Sequence, residues 1–222
     1  MEFISIAIDG PAGSGKSLMA KKVSQFKKYT YLDTGAMYRT FALKAIRAGI
    51  NTLDEKNLNK LITDNDISVV INEDNIQHMY LADECVDSLI RTNEISKGAS
   101  DVSKFPEVRL YLVEKQREIA KNHNIVMEGR DIGTYVLPDA TFKFFITADP
   151  EERAKRRFLQ MTEEGKNTTY EEVLKDINYR DSQDSNRDFA PLKEAEDAII
   201  IDTTNLNIEE VFQTLIGHID GK

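Results

Sequence analysis

Gly10, Pro11, Ala12, Gly13, Ser14, Gly15, Lys16 and Ser17 follow the spacing G-x-x-x-x-G-K-[ST] of a phosphate-binding loop. Its glycines let backbone amides come close to phosphate oxygens, Lys16 adds a full positive charge, and the Ser17 hydroxyl suits a Mg²⁺ shell. Phe3 to Ile8 before the loop reads as a short β-branched strand, and Leu18 to Phe26 after it reads as a helix whose N-terminus adds partial positive charge. That strand-loop-helix order separates the pattern from a solvated glycine-rich turn with a stray lysine. The ligand implied is a nucleoside triphosphate, with Leu18 closing the set of residues at its phosphates.

One triphosphate needs few arginines. This acidic chain nevertheless places Arg39, Arg91, Arg109, Arg130, Arg180 and Arg187 beside small hydroxyl or carboxylate residues near strand ends and helix termini. A guanidinium grips two phosphate oxygens at once, each charge-assisted bond contributing roughly 1.5–3 kcal/mol when desolvated. Singly, each of these arginines reads as a surface ion pair; as a set they imply a second, phosphorylated acceptor. Asp9 and Glu128 close neighbouring strands, where carboxylates orient the waters of a metal ion, although Glu128 also reads as a helix-cap or loop carboxylate. Arg153 and Arg157, spaced i, i+4 with Arg156 beside them, describe either a helix face that closes over phosphates or a solvated stripe paired with Glu151 and Glu152.

The elements that must hold these residues alternate regularly. Apolar runs at 3–8, 29–32, 125–128, 142–147 and 198–202 read as strands, and 3.6-residue patterns at 16–26, 36–48, 106–122, 150–164, 169–186 and 208–219 read as helices. This is the βαβ rhythm of a parallel sheet covered on both faces, with ligands at the carboxyl ends of the strands. The stretch from about 54 to 101 breaks the rhythm: a helix near 54–63, then Ile67 to Ile71 and Ile76 to Leu81 flanking Asn72-Glu73-Asp74-Asn75, an inserted hairpin. It is either a surface decoration or a lobe over a second substrate. The polar run from Glu163 to Thr169 is the candidate loop tip or hinge between two helices.

Composition excludes other classes. With 29 Lys+Arg against 38 Asp+Glu among 222 residues, the net charge of −9 opposes general affinity for nucleic acid or an anionic membrane. No apolar run approaches the roughly 20 residues of a membrane-spanning helix, and Met1 leads into the first strand without a signal-peptide pattern. A cytoplasmic protein is expected. Cys85 is the only cysteine, so no intrachain disulfide forms, and its acidic surroundings suggest a packing role. His78, His123 and His218 are too scattered to suggest a metal site.

The motifs taken together resemble the bacterial cytidylate kinases, a nucleoside monophosphate kinase family. The resemblance runs from Ile4 to about Val211, through Asp9 to Ser17, Leu32-Asp33-Thr34-Gly35-Ala36-Met37-Tyr38-Arg39, Ile90-Arg91-Thr92 with Ala99-Ser100, and Phe105-Pro106-Glu107-Val108-Arg109. It continues through Glu128-Gly129-Arg130-Asp131-Ile132-Gly133-Thr134, the stretch from Arg180 to Arg187, and Ala190-Pro191-Leu192. The resemblance implies an α/β P-loop NTPase fold, three layers α/β/α with a five-stranded parallel sheet, an inserted monophosphate-binding lobe and a short lid. The chain is then a single domain over 1–222, with a core at about 1–35, 104–150 and 190–222, a lobe at about 36–103 and a lid at about 151–189.

The activity implied is phosphoryl transfer from MgATP to CMP or dCMP, by a monomer, with Lys16, Arg39, Arg130 and Arg157 around the phosphoryl group in flight. Arg39, Arg130 and Arg187 would hold the acceptor phosphate, Ser100, Arg109 and Asp131 the base, and Arg180 and Asp184 the sugar. Ser17 would be the metal ligand, with Asp9 and Glu128 acting through water. Thr34 stands where the family more often has serine, and Gln183 where some members carry another arginine. The base assignment also makes physical sense. Cytosine's amine wants a carboxylate, supplied by Asp131, and its acceptors want donors from Ser100 and Arg109. Uracil would set a carbonyl against that carboxylate, a mismatch that discriminates by roughly 10⁴-fold in polar pockets. An ion pair with adjacent Arg130 is the competing use of Asp131. Other classes are a thymidylate- or shikimate-type kinase, and a slow nucleotide switch, for which no Asn-Lys-x-Asp segment is found.

Overall fold

The computed structural model describes residues 3–62 and 66–221. Its principal sheet is formed by β1 (Ser5–Asp9), β2 (Thr30–Asp33), β6 (Ile125–Gly129), β7 (Phe142–Thr147) and β8 (Ile199–Asp202), in the order β2-β6-β1-β7-β8 and parallel throughout. Ile6, Ala7 and Ile8 of the central strand are fully buried, as expected of a strand covered on both faces. The five expected sheet strands and the six helices that alternate with them are all present, each end within a residue or two of its sequence-based position.

On one face α1 (Lys16–Lys27) and α8 (Ile208–Asp220) pack Met19, Val23, Val211 and Leu215 against Ile6, Ile8 and Phe144. On the other, α2 (Thr34–Arg47) and α5 (Pro106–Ala120) cover Ala7, Leu32 and Met127 with Met37, Phe41 and Leu112. The same apolar core runs on into the insert through Ile67, Met79, Val86 and Ile90. α6 (Pro150–Glu163) and α7 (Tyr170–Asn186) form a helical hairpin with a small core of its own, Ala154, Met161, Val173 and Ile177. Its connection begins with Gly165 and ends at Thr169, which caps α7 reciprocally with Glu172.

The insert holds more structure than its sequence suggests. The expected helix near 54–63 is the short α3 (Glu55–Asn59); residue 63 lies outside the described residues. The hairpin β3 (Ile67–Ile71) and β4 (Gln77–Leu81) gains a third strand, β5 (Glu84–Cys85). A further helix, α4 (Asn93–Val102), has no counterpart in the sequence-based reading, because Ser96, Gly98, Ser100 and Asp101 are weak helix formers. It is fixed from outside: Thr92 caps Ile95, and a Cβ on Gly98 would sit 3.1 Å from Thr52 Cγ2 and 3.2 Å from Ala42 Cβ. Only glycine lets α4 lie this close to α2. After β6 the chain makes one π-helical turn, Ile132–Val136, with Asp131 O accepting from both Tyr135 N and Val136 N.

Candidate active site

Parallel pairing aligns the carboxyl ends of β2, β6 and β1, setting Asp33 beside Glu128 and Asp9 beside Gly129. The loop from Gly10 to Gly15 leaves β1 at this edge. A Cβ on Gly10 would collide with the Ile146 carbonyl of β7, and Gly15 takes φ 86° just before α1, a value side chains disfavour. Lys16 is buried and donates to Pro11 O at 3.1 Å, folded back across the loop it serves. Burial, with help from the Arg130 cation, lowers its pKa to about 8 against the opposing pull of Glu128. Ser14 is 1% exposed and its Oγ has no partner among the described residues.

Five of the arginines and carboxylates expected around the acceptor form one connected chain. Arg109 Nη2 donates to Asp131 Oδ2 at 2.5 Å, Arg187 Nη2 to Asp131 Oδ1 at 3.1 Å, and Arg130 Nε to Asp184 Oδ2 at 2.7 Å, with Arg187 Nη1 3.9 Å from Asp184 Oδ1. Asp131 therefore pairs with Arg109 and Arg187; the alternative pair with Arg130 does not form. Arg109 is 1% exposed; burial lowers its pKa, but Tyr38, Asp131 and Asp184 together hold it above the usual value. Ser100 Oγ, Arg109 Nε and Arg39 Nε are buried without a partner among the described residues. Arg39 Nη2 is held by Asp33 at 2.7 Å, and Asp33 also caps α2 through Ala36 N at 3.0 Å. Burial raises the Asp33 pKa, but Arg39, the Ala36 amide and Arg91 together bring it below the ordinary value.

Thr34 uses its hydroxyl on Glu128 O at 2.7 Å, which locks the start of α2 to the end of β6. Arg180 sits apart from the chain of pairs, its Nε 3.0 Å from Asp176 on the preceding turn of α7. Arg157 donates to Gln160 on its own helix, and its pKa is lowered by burial and by the neighbouring Arg180 and Arg39 cations. Cations that crowd each other in this way favour a polyanion between them.

Ser17 Oγ donates to Glu128 Oε2 at 2.7 Å, while Tyr31 donates to Glu128 Oε1 at 2.6 Å. Burial and nearby Asp33 raise the Glu128 pKa, the signature of a buried anion short of positive charge. A hydroxyl and a carboxylate in contact, both hard oxygen donors, fit Mg²⁺. Asp9 has a defined structural task as well: its two oxygens accept Ile132 N at 2.8 Å and Gly133 N at 2.7 Å, capping the π-helical turn. Burial pushes its pKa up to about 7 although both amides pull it down.

Several contacts escaped sequence reasoning. Arg153 is 4% exposed, so it belongs neither to a free lid face nor to a solvated stripe. It donates to Ala12 O at 2.8 Å and to Asp181 at 2.6 Å, and Asp181 accepts Ala12 N at 3.1 Å, so α6 and α7 grip the phosphate loop from both sides of one residue. Arg156 binds Glu152 and the Thr203 carbonyl. Gln77 accepts from Asp33 N at 2.7 Å and donates to Asp33 O at 3.2 Å, bracing the open edge of β2. Cys85 is exposed, contrary to its expected packing role.

The sheet order, the glycine-rich loop between β1 and α1, and the buried Lys16 define a P-loop α/β protein. A solved structure of an uncharacterized protein from Eubacterium ventriosum shares the fold, with a TM-score of 0.53, 16% identity and 99% of each chain covered. The cytidylate kinase family profile matches residues 6–220. Cytidylate kinase from Caldicellulosiruptor bescii is 48% identical over 97% of this chain and 95% of its own, and that from Caldanaerobacter subterraneus is 50% identical over 95% and 92%. The chain belongs to the cytidylate kinase family, and is thus a nucleoside monophosphate kinase.

Proposed function

We propose that the protein transfers the γ-phosphoryl group of ATP, with Mg²⁺, to CMP or dCMP, giving ADP and CDP or dCDP. The observation that carries this reading is the buried Arg109–Asp131–Arg187 pairing, together with the buried Ser100 Oγ and Arg109 Nε, which have no partner among the described residues. A carboxylate next to unsatisfied donors matches the cytosine edge. Leaving such atoms unpaired costs about 1–3 kcal/mol each, a cost that a correctly patterned base removes on binding.

In this reading the loop amides of Gly13 to Ser17 and Lys16 hold the donor phosphates, and Leu18 lies beside them. Arg39, Arg130 and Arg187 hold the acceptor phosphate, and Arg180 and Asp184 the sugar. The acceptor is already a dianion, so no strong base is required. One of its oxygens forms a bond to the γ-phosphorus as the bridge to the β-phosphate breaks, and the electron pair leaves with ADP. The enzyme supplies alignment and positive charge on the equatorial oxygens, from Lys16, Arg39, Arg130 and Arg157. Ser17 would hold Mg²⁺, with Glu128 and Asp9 acting through water, and the ion would supply charge neutralisation at the phosphates. The α2–β5 region with α4 serves as the monophosphate-binding lobe and the α6–α7 hairpin as the lid of one domain.

The test is ADP release measured in parallel with CMP, dCMP, UMP, AMP, GMP and no acceptor. CMP- and dCMP-dependent release well above the other lanes is expected. Equal release in every lane, the acceptor-free one included, would overturn the assignment in favour of a hydrolase or switch.

A further inference from the structure

We propose that His78, Cys85 and Asp87 form a binding site for a thiophilic divalent cation of the zinc class, on the insert and separate from the phosphoryl-transfer site. Strand register brings them together. β4 pairs antiparallel with β5 so that Tyr80 faces Cys85, and the ladder continues beyond β5 with Val86 N donating to Met79 O at 2.8 Å. His78 thus comes opposite Asp87, and alternation places Cys85 on the same face, one step along. One ligand atom from each of the three lies within 4.8 Å of the others. A zinc tetrahedron needs spacings of about 3.3–3.8 Å, so a small rotation of the exposed Cys85 side chain closes the set.

The donor chemistry selects the ion. A thiolate with an imidazole and one carboxylate suits Zn²⁺ and disfavours Mg²⁺ and Ca²⁺, which require oxygen. Two ligands are already oriented: His78 Nδ1 is 2.8 Å from Asp87 Oδ2, and Asp87 Oδ1 accepts Met79 N at 2.8 Å. Asn72 also approaches His78 Nε2, at 3.4 Å, with its own carbonyl oxygen occupied by Asp74 N and Ile76 N. Capture through Nδ1 moves the ring proton to Nε2, opening the Asn72 contact, and releases one proton from the thiol. Exposure leaves the fourth position to water. A cation here ties β4 to the segment after β5. β4 is also the strand whose Gln77 braces Asp33, so the lobe would be stiffened where it supports the sheet edge.

Cys85 is the only thiol, so its alkylation rate reports the site without ambiguity. In the full-length protein, with excess Mg²⁺ filling oxygen-ligand sites, Zn²⁺ should slow iodoacetamide alkylation of Cys85 by about tenfold or more, because a metal-held thiolate is withdrawn as a nucleophile. The protection should disappear in His78→Ala and weaken strongly in Asp87→Asn. Co²⁺ should give a thiolate charge-transfer band in the wild type that Cys85→Ser abolishes, the variants keeping wild-type circular dichroism and kinase turnover. Unchanged alkylation in Zn²⁺, or equal protection in folded His78→Ala, would overturn the proposal, the second result meaning that the thiol binds zinc without its neighbours. If His78→Ala does not fold, the wild-type cobalt spectrum decides: a spectrum without the thiolate band also overturns it.

Discussion

Replacing Asp131 by Asn changes charge with almost no change of shape, at a point where two guanidiniums converge. Arg109 and Arg187 are 1% and 9% exposed, and both donate to this carboxylate. An amide keeps one accepting oxygen but turns an N–H toward the other guanidinium, leaving buried positive charge uncompensated. Breaking one side of a buried pair costs about 3–5 kcal/mol, and at about 2–4 °C per kcal/mol for a chain of this size the melting temperature should fall by roughly 6–20 °C. The same change has a catalytic reading. An amide accepts from cytosine's amine as an uncharged group and donates to uracil's carbonyl, so the CMP preference over UMP should shrink by about 10- to 150-fold, the worth of one charge-assisted bond. Thermal melts and coupled turnover with each nucleotide measure the two effects separately. A melting temperature within about 2 °C of wild type would refute the buried-pair reasoning, and an unchanged CMP/UMP ratio in folded protein would refute the base-reading role.

Three further outcomes are expected. Lys16 must be protonated to hold phosphate and its pKa is lowered to about 8, so kcat/KM for ATP should fall as pH rises through that value. Bound triphosphate should raise the pKa again and move the limb in kcat upward; coincident limbs in the two profiles would contradict this. Gln77→Ala removes both side-chain contacts to the Asp33 backbone and should raise KM for CMP several-fold while leaving KM for ATP unchanged; steady-state kinetics with each substrate varied decide it, equal changes in both pointing to general loosening. Arg157→Ala should lower turnover well beyond twofold, and a smaller loss would remove Arg157 from the transition-state charge.

What could be read from the sequence follows how local the signal is. The five sheet strands are built on short apolar runs, and Ile6 to Ile8 or Phe144 to Ile146 could hardly lie elsewhere than inside. The phosphate loop was legible because its conformation is encoded in consecutive residues. Of the residues that the arginine and carboxylate motifs single out, five form one chain of pairs, yet the pattern of pairing did not follow from the motifs: Asp131 meets partners 22 and 56 positions away rather than its neighbour. α4 was hidden because its stability comes from Gly98 packing on α2, where propensity argues against a helix. The burial of Arg153 and the meeting of His78 with Asp87 depend on helix docking and strand register, which no spacing rule reports.

Helix α7 carries two sets of attachments less than a turn apart. Asp181 accepts the Ala12 amide of the glycine-rich loop, and Asp184 pairs with Arg130 in the chain of buried ion pairs. A rigid helix cannot move one set without the other. A ligand that takes the Ala12 amide from Asp181 would free one carboxylate oxygen, the other staying with Arg153, and any shift of Asp181 would carry Asp184 with it. If a ligand at one set favours one position of the helix, reciprocity requires that a ligand at the other set would feel that preference to the same degree.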